Sequence, residues 1–167
     1  MLISLNKQVS MDDIIDIICE KLETGGKVTF TPNGTSMLPM LRDGEDVVVL
    51  EKPKGRLHLF DVPLYKRENG TYVMHRVVNY DRDGSYVMCG DNQFAYEHGI
   101  KDSQIIGVMT AFYRKGKPYS VDSLAYRFYV NLWFYIKPFR RIYKFTARKT
   151  NQLFGKGNKA QNEERPD

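Results

Sequence analysis

Between Lys27 and Tyr119, turn residues recur too closely for a long helix to form. Arg42-Asp43-Gly44, Glu68-Asn69-Gly70, Asp81-Arg82-Asp83-Gly84 and Lys115-Gly116-Lys117 cut this part of the chain into short runs. Glycine, asparagine and aspartate favour such places because they accept or hydrogen-bond the turn backbone. The intervening runs are Val28–Thr31, Asp46–Leu50, Leu59–Lys66, Tyr72–Tyr80, Tyr86–Cys89 and Ile105–Tyr113. They are rich in β-branched and aromatic residues, which fit a pleated, half-buried surface. Asn69-Gly70 between two of them predicts a hairpin, since both residues tolerate the positive φ of a tight turn. Many short strands with closely spaced turns predict a mainly β fold, as a barrel or a sandwich.

Helical periodicity flanks this region. Ser10 followed by Asp13 suits a helix start, Ile14, Ile15, Ile17, Ile18 and Leu22 form an apolar face, and Gly25-Gly26 supplies the stop. This predicts one N-terminal amphipathic helix of about four turns. A DNA-binding helix-turn-helix needs a second helix, and the strands begin too soon for one. After Val121, Ala125, Phe128, Tyr129, Leu132, Trp133 and Ile136 return at helical spacing among Arg127, Lys137, Arg140, Arg141 and Lys144. Pro138 should kink or end that helix, with Phe139, Ile142 and Tyr143 continuing the aromatic pattern. From about Gly155 the composition predicts disorder. The organisation expected is therefore an N-terminal helix (1–26), a β domain (27–120), a basic aromatic amphipathic segment (121–154) and a disordered tail (155–167).

The net charge of +5 belongs to one end of the 167-residue chain. Residues 1–120 hold 15 Lys and Arg against 16 Asp and Glu, whereas 121–167 hold 10 against 4. A basic, aromatic helix over 126–145 is too charged to cross a bilayer but suits the headgroup layer, so a membrane surface is the expected partner there. Nucleic acid is not expected, because no reading module is visible. No stretch reaches the ~20 apolar residues of a span, and the N-terminus lacks the hydrophobic core of a signal peptide. The expected location is the cytoplasm or the cytoplasmic face of a membrane. Cys19 and Cys89 form no metal pattern, and His58, His75 and His98 are scattered without zinc-site spacing, so neither metal nor cofactor is expected.

Three segments could carry chemistry: Gly34-Thr35-Ser36-Met37-Leu38-Pro39, His75-Arg76-Val77-Val78 and Gly90-Asp91-Asn92. Singly, each has an ordinary structural explanation as a turn, a strand and a β-turn. In this order and approximate spacing they resemble the boxes of the type I signal peptidases, whose superfamily includes the LexA-type self-cleaving repressors. The resemblance covers roughly Val28 to Met109. It implies a LexA/signal peptidase-like β-barrel or coiled sheet and a serine endopeptidase that cuts signal or leader peptides. Within that family, a histidine in the second box is the pattern of the endoplasmic-reticulum, archaeal and some Gram-positive sporulation-type enzymes, where ordinary bacterial enzymes have lysine.

The chemistry agrees with those residue types. A serine hydroxyl needs a base in the transition state, and neutral imidazole can serve near physiological pH. If Tyr72–Tyr80 is one strand, alternation sets Val73, His75 and Val77 on one face. A histidine base works best with its second nitrogen held by an acceptor. The family resemblance implies a carboxylate several residues after the third box. Asp91 lies in the box and Glu97 stands six residues on, with glutamate in place of the family's usual aspartate, so the choice between Asp91 and Glu97 stays open. The Ser36 amide would serve an oxyanion, but Gly34 occupies the place where many signal peptidases have a helping serine. Met37, Leu38, Pro39 and Met40 are expected as walls of a groove holding an extended peptide, with small residues such as alanine at positions one and three before the cut. The competing readings are a LexA-like module that cuts itself, for which residues 1–33 offer no Ala-Gly bond, and a non-catalytic membrane-associated relative that kept the fold.

Overall fold

A computed structural model describes residues 11–140, with side chains from 14 onward. The expected helix cap Ser10, the apolar positions Ile142 and Tyr143, and the tail 155–167 lie outside the described residues.

Helix α1 (Met11–Glu23) buries Ile15, Ile18 and Leu22 along one face, while Ile17 points to solvent. The Gly25 amide donates to the Leu22 carbonyl and the Gly26 amide to that of Lys21, which closes the helix where the glycines predicted it. Nine strands follow among the described residues: β1 (Val28–Phe30), β2 (Val47–Glu51), β3 (Pro63–Lys66), β4 (Tyr72–Met74), β5 (Arg76–Tyr80), β6 (Tyr86–Cys89), β7 (Glu97–Ile100), β8 (Ile105–Arg114) and β9 (Lys117–Ser120). Helix α2 (Leu124–Tyr135) follows β9. Chain contacts divide the molecule into two compact units at Arg127 and Phe128, so α1 belongs with the sheets.

The strands form two antiparallel sheets. The first runs β1-β2-β8-β3-β4, with β9 also paired to β8, and the second runs β5-β6-β7. The ten-residue β8 is the spine, since β2, β3 and β9 all pair along it. Gly107 on β8 lets α1 press close: a Cβ there would lie 2.9 Å from Leu22 Cδ1. One apolar core cluster draws Leu57, Tyr65, Val77, Tyr86, Met88 and Ile100 together, uniting strands from both sheets. Each such side chain taken from water contributes roughly 1.5–3 kcal/mol.

Three expectations need correction. The β fold is not a closed barrel, because β1 and β4 end the larger sheet as unclosed edges among the described residues. The run Tyr72–Tyr80 is not one strand. It breaks at His75, with β4 staying in the first sheet and β5 entering the second, so the simple alternation of Val73, His75 and Val77 does not apply. Two further strands, β7 and β9, occupy stretches without apolar alternation: β7 is exposed at His98 and Gly99, and β9 wholly so. The hairpin predicted from Asn69-Gly70 is present, with Tyr65 opposite Val73 and Lys66 opposite Tyr72.

Candidate active site

Ser36 lies in the turn between β1 and β2. Gly34 has φ +105°, a conformation that disfavours any side chain, and its amide donates to Asp43 Oδ1 at 2.7 Å. A serine at this position, as in many signal peptidases, would be strained here. The far end of the turn is anchored by the fully buried Asp46. Arg42 and Arg114 both donate to it, and Arg114 also donates to the Pro39 carbonyl at 3.1 Å. Burial works against the Asp46 charge, but these arginines outweigh it and hold the carboxyl below its usual range.

The third sequence segment clamps the first. The Asn92 amide donates to the Ser36 carbonyl at 2.8 Å, and its side-chain Nδ2 donates to the Thr35 carbonyl at 3.1 Å. A Cβ at residue 90 would lie 2.7 Å from the Ser36 carbonyl oxygen, so only glycine permits this approach. Asp91 turns the other way. It accepts from Arg76 Nε at 2.8 Å and from Arg76 Nη2 at 2.7 Å, both side chains being buried. The remaining donors of Arg76 reach the Phe60 carbonyl, the Tyr126 hydroxyl and Met40 Sδ. Burial disfavours the guanidinium charge, yet Asp91 and Tyr126 more than offset it and its pKa rises.

His75 occupies the break between β4 and β5 and is 2% exposed. Its Nδ1 stands 2.9 Å from Glu97 Oε1, at the start of β7. Of the two carboxylates left open by the sequence, Glu97 therefore meets the imidazole and Asp91 meets Arg76. Glu97 has further partners. Tyr65 donates to its Oε2 at 3.0 Å, Arg67 Nε donates to Oε2 at 2.8 Å, and Arg67 Nη2 reaches Oε1. Tyr65 Oη also lies 3.3 Å from His75 Nδ1. Burial pushes the His75 pKa down, against the pull of Glu97. For Glu97, burial acts upward, but Arg67, Tyr65 and His75 prevail and its pKa falls.

Ser36 and His75 line one cleft of about 290 Å³, together with Met37, Phe30, Val73 and Arg67. Leu38 and Pro39, expected as groove walls, are not part of its lining, whereas Asn33 and Gln93 are. No hydrogen bond joins Ser36 Oγ to His75, and His75 Nε2 has no hydrogen-bond partner among the described residues. Those residues also hold no cluster of histidine, cysteine and carboxylate groups suited to a metal ion.

Tyr65 and Arg67 are the participants that sequence reasoning missed. The hairpin itself carried a signal for Tyr65: counting outward from Asn69-Gly70 sets it across from Val73, two residues before His75. Arg67 meets Glu97 thirty residues away, a contact with no local signature. Scans against protein-family models, curated proteins and solved structures return no match for this chain.

Proposed function

We propose that the chain is a serine endopeptidase of the signal-peptidase type that cleaves signal or leader peptides, with Ser36 as nucleophile, His75 as general base and Glu97 as the carboxylate behind the base. The observation that carries this reading is that Ser36 and His75 line one cleft while Glu97 occupies the imidazole's Nδ1. Nε2 is then the nitrogen that takes the Ser36 proton as Oγ attacks the scissile carbonyl. It returns that proton to the leaving amine, and water activated by the same nitrogen releases the acyl group from Ser36. Desolvation favours the neutral ring this step requires. The Ser36 amide is an oxyanion donor, and the side-chain carboxamides of Asn33 and Gln93 are further donors within the cleft.

The substrate is an extended peptide. Phe30 of β1 and Tyr72, Val73 and Met74 of β4 line the cleft, so both unclosed sheet edges border it. An edge strand offers main-chain groups to a peptide and leaves alternate side chains to select among substrates. A lipid surface is the second partner in this reading. Leu124, Phe128, Leu132 and Tyr135 of α2, with Phe139 beyond it, are exposed at spacings of three and four residues. The basic excess of 121–167 complements anionic headgroups. Among the described residues no helix is long and apolar enough to cross a membrane. Residues 141–145 of the expected membrane-facing segment lie outside the described residues.

A second reading, a peptide-binding relative without catalysis, is favoured by the missing Ser36–His75 hydrogen bond. Catalytic hydrogen bonds often tighten only when substrate binds. Leader peptides incubated with the protein and anionic vesicles, with fragments read by mass spectrometry, separate the readings. Cleavage that disappears in folded Ser36→Ala and His75→Ala proteins supports the peptidase. Peptides left intact, with no labelling by a fluorophosphonate, support the binding module, and fragments of the chain alone indicate self-cleavage.

A further inference from the structure

We propose that Arg67 is the positioning residue of this site: its guanidinium grips both oxygens of Glu97 and so fixes which of them meets His75, with Tyr65 closing the remaining side. The proposal deepens the peptidase reading and rests on it for its catalytic consequence, though not for the contact itself.

Glutamate has one more rotatable bond than aspartate, and an unrestrained carboxylate would spread over several orientations at a cost to any single productive one. The planar fork of arginine matches a carboxylate with two parallel hydrogen bonds. Here Arg67 Nε takes Oε2 and Nη2 takes Oε1, while Tyr65 adds a second donor to Oε2 and Oε1 remains against His75 Nδ1. The carboxylate has no freedom to rotate without losing at least two contacts.

Chain topology builds this grip across the two sheets. Tyr65 is on β3, and Arg67 begins the β3–β4 turn, where its amide donates to the Thr71 carbonyl and its carbonyl accepts from Gly70. Glu97 comes from β7 in the other sheet, and His75 sits where the chain passes between the sheets. The hairpin with the strongest turn signal in the sequence therefore carries the brace for a carboxylate on another sheet. The β4 arm of the same hairpin borders the cleft.

The grip has an electrostatic consequence. Glu97 alone pulls the His75 pKa upward and favours imidazolium. The charged and titratable groups that act on the ring are Glu97, Arg67, Tyr65 and, beyond Arg76, Asp91. Arg67 opposes Glu97, adding to burial in disfavouring the charged ring. Arg67 thus favours the ionised carboxylate and, after burial, the neutral ring.

The first experiment needs no substrate. His75 is titrated by NMR in Ser36→Ala protein, alone and with Arg67→Met or Arg67→Gln. Both replacements should raise the His75 midpoint, and Arg67→Lys, which restores charge without the fork, should bring it back toward that of the unsubstituted residue. An unchanged midpoint in both neutral variants overturns the proposal. The second experiment uses a cleaved leader peptide. Arg67→Met should lower kcat on the order of 10- to 100-fold, the scale of a misplaced reacting group, with KM little changed and the acid limb of the profile displaced to higher pH. Arg67→Lys should recover the limb but not kcat, and full recovery of kcat by lysine overturns the role of the fork. A shifted midpoint in a protein that cleaves nothing upholds the action of Arg67 on the Glu97–His75 pair and removes the peptidase reading. Arg67 is 35% exposed, and Arg67→Gln retains hydrogen-bonding capacity as a second variant should methionine impair folding.

Discussion

His75 and Arg76 are neighbours in the chain, and each meets a carboxylate, yet the two clusters are built to different ends. Every N–H of the Arg76 guanidinium has an acceptor: two on Asp91, the Phe60 carbonyl, Tyr126 Oη and Met40 Sδ. Such a group is sealed, satisfied and already committed. The His75 cluster is also well bonded at Glu97, but its ring is titratable and leaves Nε2 without a hydrogen-bond partner among the described residues. One arrangement fixes the join between β5, the third sequence segment and Tyr126 at the start of α2. The other places a titratable ring in the cleft that Ser36 also lines. A satisfied buried ion supports structure, whereas a braced ring with one nitrogen in reserve can support chemistry.

The sharpest way to break this contrast is to remove each carboxylate in turn. Asp91→Ala leaves the Arg76 charge buried without its counterion and should cost about 3–5 kcal/mol of stability, measured by urea unfolding. Glu97→Gln should lower the unfolding midpoint much less than Asp91→Ala, because Arg67 is partly exposed and can turn to water. In a leader-peptide assay it should lower kcat by roughly 10²–10³-fold, since the imidazolium loses its support. If Glu97→Gln unfolds the protein while folded Asp91→Ala loses only activity, the two assignments exchange places.

The contrast sharpens with pH. Burial holds the His75 pKa below the ordinary 6.5, so the unfolded chain binds the proton more readily than the folded one. Stability linked to His75 is therefore complete above 6.5 and is lost as pH falls toward the folded value. For Glu97 burial opposes the charge, but Arg67, Tyr65 and His75 hold the pKa below 4.5, so its contribution is present above 4.5 and is lost on further acidification. Thermal midpoints should be flat through neutrality and then decline in these two windows. His75→Gln should abolish the first decline. A midpoint that rises between pH 7 and 6 would mean that the folded state prefers imidazolium, and the base assignment would fail.

The sequence was legible where physics is local. Asn69-Gly70 predicted the hairpin because a tight turn needs residues that tolerate positive φ, and Gly25-Gly26 marked the end of α1 for the same reason. The three boxes singled out Ser36 and His75 through their order and left Asp91 and Glu97 open, and only the fold separates the two carboxylates. The break at His75 was illegible because Tyr72–Tyr80 reads as one β run, and only pairing with different partners divides it. Strand β9 was hidden because all four of its residues are exposed and Pro118 weakens any strand signal. The opposed loyalties of Asp91 and Glu97 depend on contacts 15 residues away for one and 30 for the other, which no pattern along the chain encodes.

The smallest predicted effect tests the contrast most finely, because it removes one chemical group from each cluster. Tyr126→Phe deletes a hydroxyl that accepts from Arg76 Nη1 at 3.0 Å, while the Phe60 carbonyl continues to accept from the same nitrogen. The expected cost is about 0.5–1.5 kcal/mol in urea unfolding, with kcat and its pH profile unaltered. Tyr65→Phe also deletes one hydroxyl and should cost a comparable amount. Here, however, the lost group donates to Glu97 and lies beside His75, so the acid limb of the profile should move as well. Equal stability losses with unequal pH profiles would show that the two tyrosines do the same mechanical job in clusters of different chemical purpose. If Tyr126→Phe moved the profile and Tyr65→Phe did not, the chemistry would belong to the Arg76 side.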